Sequence, residues 1–236
     1  EGKIKPPVGE MPRWVTQPVS VSSKSLALRN RVQFDSSNQT YNKAKFQDEL
    51  RRQGKQLVEC EFDEAGAEPC LSHYEKLISF RDEILNLFSV ATYIEGSCTN
   101  ICNFFQETFD EIRIKNKNEA HQYICKAMLH ELFIYAAAMA LKNQDWKLFS
   151  ELNQKPYFVG DSMLQFNGYQ FGIFSHSRCP YDNEMNKRLS DRQYLCGTAA
   201  LWTQKINTLC DKETFAATDS VLYNISLMSG HALDLS

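Results

Sequence analysis

One stretch, Glu119 to Lys142, constrains this chain more than any other: EAHQYICKAMLHELFIYAAAMALK. It holds neither Gly nor Pro, and its Ala, Leu and Met residues lose little side-chain entropy in a helix. Tyr123, Ala127, His130 and Ile134 form one row at helical spacing. Ile124, Met128, Leu132 and Tyr135 form the next. From Leu132 to Leu141 every position is apolar, so this half has no polar face. A helix that is apolar all round is buried on every side. The apolar run is shorter than the roughly 20 residues needed to span a bilayer. The expectation is a mainly α-helical domain built around one buried central helix at 119–142.

The rest of the chain is read outward from that helix. Ser72–Ile94 carries an inner stripe of Leu77, Phe80, Ile84, Leu87, Phe88 and Ala91, with Ser72 as N-cap and Glu75 at the capping-box position. Ser97–Lys115 is the next helix, with Ile101, Phe104, Phe105, Thr108, Phe109 and Ile112 turned inward. The short link to the central helix favours an antiparallel neighbour. A turn at 143–145 leads into a short helix, Trp146–Leu152. Before these, 41–53 reads as a charged helix ending at Gly54, and 56–62 alternates like a strand. After them, Asn167-Gly168 between alternating apolar residues signals a β-hairpin at 163–174, because a type I′ turn needs positive φ at both central residues. Residues 183–205 read as helix, and 215–227 as helix or strand.

The first 40 residues contain Pro6, Pro7, Pro12 and Pro18 and a Ser cluster, the composition of an extended arm or linker. The domain division is therefore an arm at 1–40 and a single domain at 41–236. Residues 1–58 hold eleven Lys/Arg against five Asp/Glu, although the whole chain carries a formal charge of −3. The chain as a whole is not a general nucleic-acid binder. Its basic end, with Arg29, Arg31, Lys43, Lys45, Arg51 and Arg52, either touches phosphates or meets acidic surface and solvent. No signal-peptide pattern is visible, and the chain begins at Glu1 rather than Met, as a fragment would.

Eight cysteines invite a disulfide reading. Several, however, sit among apolar neighbours in helical runs, where free cysteine acts as a small hydrophobe. A reduced, cytoplasmic protein is expected. Cys98 and Cys102, with His121 and Cys125, form two i, i+4 pairs, each on one helix face. A tetrahedral zinc would need all four within about 2.0–2.3 Å of the metal. Both pairs lie near the starts of sequential antiparallel helices, hence at opposite ends, so buried packing is the expected role; neither metal nor cofactor is expected.

Catalytic motifs are incomplete. His130-Glu131 is a fragment of a zinc-hydrolase pattern and fits a salt bridge at the edge of the buried region. His176, Arg178, Cys179, Asp182 and Glu184 share one loop, which gives a hydrolase or nuclease reading its residues, with His121 or His130 as further bases. Exposed aromatics beside basic residues are frequent interface anchors. Trp14, Tyr169, Phe171, Lys187 and Arg188 are the candidates here.

Residues 128–161, MLHELFIYAAAMALKNQDWKLFSELNQKPYFVGD, followed by NEMNKRLSDRQYL at 183–195, resemble the helical accessory domains of bacterial proteins of the anti-phage defence type. The similarity lies in the HELF start, the long apolar helix, the Trp-containing helix, the PYFV turn and the Asn-Lys-Arg-Leu helix. It covers about a third of the chain. It implies an accessory or sensing module and transfers no catalytic residue. The leading expectation is a non-catalytic interaction or sensor domain of a larger bacterial assembly, more an adaptor than an enzyme. Its expected partner is a protein or another domain of a larger chain. The alternatives are the hydrolase or nuclease effector and nucleic-acid binding by the basic segment.

Overall fold

A computed structural model describes residues 39–61, 69–91, 93–115, 119–157 and 202–228. They include the helices α1 (Gln39–Glu59), α2 (Pro69–Ala91), α3 (Ser97–Lys115), α4 (Glu119–Lys142), the short α5 (Trp146–Gln154) and α6 (Lys212–Met228). No strand occurs among the described residues. The expected hairpin at 163–174 and the arm before residue 39 lie outside them.

The first four helices surround one core in the ring order α1, α3, α4, α2. Opposite α4, α1 runs parallel to α3 in a fixed register. Arg51 pairs with Glu107, Lys55 with Glu111 and Glu59 with Lys115, each 56 residues apart. The ion pairs recur every four residues, one turn at a time, as the helical repeat dictates. On the other side α2 runs parallel to α4. The α3–α4 pair is antiparallel, as its short link implies: Phe105 meets Phe133, and Phe109 lies under Lys126. Helix α5 packs on α3 and α4, and α6 packs on α4.

Helix α4 is the centre of this arrangement. Every residue from Leu129 to Ala138 is at most 5% exposed, His130 and Glu131 included. Phe88, Phe104, Phe105 and Phe133 form a chain of edge-on and tilted rings that joins α2, α3 and α4. Such pairs contribute about 0.5–1.5 kcal/mol each beyond the area they bury.

Two local expectations are corrected. The 41–53 helix does not stop at Gly54, and 56–62 is not a strand, because α1 continues to Glu59. Phe46, Leu50 and Leu57 are fully or almost fully buried on one stripe that crosses the glycine. Gly54 is a contact point rather than a stop. A Cβ there would lie 2.6 Å from Thr108 Oγ1 and 3.2 Å from the Phe104 ring. The missing side chain lets α1 press against α3. The second correction concerns α2, which begins at Pro69, so Ser72 stands inside its first turn and is not the cap. Pro tolerates that first position because its absent N–H would have no helical partner.

The Gly54 contact gives a direct expectation. Gly54→Ala gains about 1 kcal/mol of helix propensity. It loses more, because overpacking costs about 1–3 kcal/mol. Adding Thr108→Ala opens the space, so the double variant should unfold at higher urea than Gly54→Ala alone. The reverse order would show that the contact does not limit the approach of α1 to α3.

The turns match their residues. Gly96 has φ of 71°, a left-handed conformation that a Cβ disfavours, and closes the α2–α3 turn. Ser97 Oγ donates to the carbonyl of Ala91 across it. Asp145 caps α5 by accepting from Leu148 N at 3.0 Å. Asp211 caps α6, accepting from Thr214 N at 2.7 Å, and these bonds hold its carboxyl below the usual range.

Candidate functional site

The densest polar cluster lies where α2 and α4 meet the segment leading into α6. Arg81 and Glu131 form an ion pair at 2.8 Å, with side chains only 3% and 0% exposed. Tyr74 Oη donates to the other Glu131 oxygen at 2.5 Å. Arg81 also pairs with Asp82 at 2.9 Å and donates to the carbonyl of Lys205 at 2.8 Å. Asn207 closes the cluster. Its backbone N–H donates to Tyr135 Oη at 2.6 Å, and its side-chain amide donates to Asp82 at 2.7 Å.

Helical spacing places these groups. Tyr74 and Arg81 are seven residues apart and Glu131 and Tyr135 four, so each helix presents two polar groups on one face. The partner segment is anchored by Trp202, fully buried between His130 and Phe215 at ring distances of 5.4 and 6.3 Å. Burial pushes the Glu131 carboxyl and the Tyr74 hydroxyl up. Arg81 works against that rise, and Glu131 in turn holds the guanidinium protonated despite its own burial. The described shell closes over both charges. The cluster is suited to fixing the 202–210 segment on the core rather than to meeting a substrate. His130-Glu131 thus forms the expected salt bridge through Glu131, though in the centre of the core and not at its edge.

The candidate zinc ligands are separated. Cys102 lies in the field of Lys155 and Glu151, beside Tyr157 at the end of α5. Cys125 touches the carbonyl of Leu57 at the far end of α1, and its sulfur lies 3.9 Å from both nitrogens of His121. Neither nitrogen is nearer to the sulfur than the other. Among the described residues no group of three or more His, Cys, Asp or Glu is placed to hold a metal ion.

No disulfide joins the five described cysteines, Cys60, Cys98, Cys102, Cys125 and Cys210, to one another. Burial pushes Cys102 and Cys210 up to about 12. Thiolate is the reactive form. Burial raises the Cys98 thiol as well, so access decides the order: the half-buried Cys60 and Cys98 should alkylate first in native protein, with the buried Cys102, Cys125 and Cys210 modified only on unfolding. Peptide mass spectrometry after a timed iodoacetamide pulse reads this order. Early modification of Cys102 would mean that the α3–α5 contact opens.

The basic candidates divide. Arg51 makes a two-pronged pair with Glu107 at 2.9 Å for each bond, and Arg52 pairs with Glu49 and donates to Gln56 at 2.8 Å. Each guanidinium is thus tied to a carboxylate of the fold, with the Arg51 side chain still half exposed. Lys43 and Lys45 are exposed, and the Lys43 ammonium reaches the Gly96 turn. Arg29 and Arg31 lie outside the described residues. So do Trp14, Tyr169, Phe171, Lys187, Arg188 and the 176–184 loop. His121 and His130, the other candidate bases, are 3% and 5% exposed.

Other openings sit elsewhere among the described residues. A shallow groove of about 330 Å³ between α1 and α3 is walled by Arg51, Lys55, Glu107 and Glu111, whose charges are paired across it. A crevice of about 20 Å³ near the start of α5 has room for one water. Sequence reasoning missed the surface apolar groups Ile114, 74% exposed, and Trp146, 63% exposed. Trp146 was legible as the first residue of a helix whose inward positions are Leu148 and Leu152.

No protein-family model matches this chain, and neither a curated protein nor a solved structure does.

Proposed function

We propose that this helical unit is a non-catalytic protein-interaction or sensor domain of a larger bacterial assembly, of the kind that serves anti-phage defence, working in the cytoplasm. The observation that carries the interaction reading is Trp146. It stands at the first turn of α5, 63% exposed, while Leu148 and Leu152 of the same helix are buried. An aromatic of that size adds most to binding when a partner takes it out of water. The polar interior supports the same reading, because Arg81, Glu131 and Tyr74 spend their bonds on one another and Asn207 spends its own on Asp82 and Tyr135. The bacterial defence setting rests on the resemblance of residues 128–161 and 183–195. Trp14, Tyr169, Phe171, Lys187 and Arg188 are proposed as further partner contacts.

Affinity capture of the tagged chain from its own host, with nuclease treatment, tests this reading. A stoichiometric protein partner that survives nuclease and is lost with Trp146→Ala is the expected result. Recovery through nucleic acid alone, or capture indifferent to Trp146, would contradict it.

A further inference from the structure

We draw no further inference here: the strongest candidate, the open groove between α1 and α3 walled by Arg51, Lys55, Glu107 and Glu111, already pairs its charges across itself, and nothing in the structure shows what covers it.

Discussion

Glu131→Ala should destabilise the protein by about 3 kcal/mol, because it leaves the Arg81 guanidinium buried without its main partner. The figure sits at the low end for a broken buried pair, since Asp82 and the Lys205 carbonyl still hold Arg81. Tyr74 loses its acceptor as well. In a chain of this size the melting temperature should fall by about 10 °C. Arg81→Met strands the opposite charge and should cost as much at pH 7. Replacing both residues, as Arg81→Met with Glu131→Leu, should cost less than either single change, because a buried pair scarcely outperforms apolar groups of similar volume. A double variant as unstable as the sum of the singles would mean that the two charges do not act as a pair.

The same cluster gives a pH signature. Burial already raises the Glu131 carboxyl, and removing Arg81 takes away the main influence that lowers it. Between its unfolded and folded pKa values, the folded Arg81→Met protein then binds more protons than the unfolded chain. Stability must therefore fall as pH rises through that window and recover as pH drops toward about 4.5. The deficit of Arg81→Met relative to the native protein should narrow between pH 7 and pH 5 in urea titrations. A deficit that widens on acidification would contradict the assignment.

The other large effect belongs to Phe133. Its ring is fully buried, 4.9 Å from Phe105 and 6.2 Å from Tyr157, and it links α4 to α3 and to the end of α5. Phe133→Ala should cost about 3–5 kcal/mol, combining lost transfer energy with a cavity that rigid helices cannot close. Phe133→Leu, which keeps most of the volume, should cost far less. The urea midpoint should shift with an unchanged slope. A slope change would indicate that α5 detaches rather than that a cavity forms.

The sequence discloses those parts of this fold in which side-chain periodicity and helix boundaries agree. Ser97–Lys115 and Glu119–Lys142 are expected and observed with the same ends. Each has a long apolar row and a polar break beside it. Reading fails at Gly54, where local propensity says stop and a long-range contact with Thr108 says continue. The apparent alternation at 56–62 fails for a related reason: Leu57 and Val58 are both buried, which a helix at a three-way contact permits and an alternating strand does not. The polar cluster was half legible. Glu131 was recognised as an ion-pair candidate, but Arg81 and Asn207, 50 and 76 residues away, carry no local sign of it. Trp146 went unnoticed as an anchor because exposure is a property of the packed molecule.

The central claim is that the interior holds the fold while the surface around Trp146 carries the function. A photo-reactive phenylalanine analogue in place of Trp146, irradiated in host cells, tests it most directly. The account predicts one dominant protein adduct, unchanged by nuclease and absent when the analogue stands at exposed Glu213 on α6. Equal labelling from both positions, or adducts that vanish with nuclease, would contradict it.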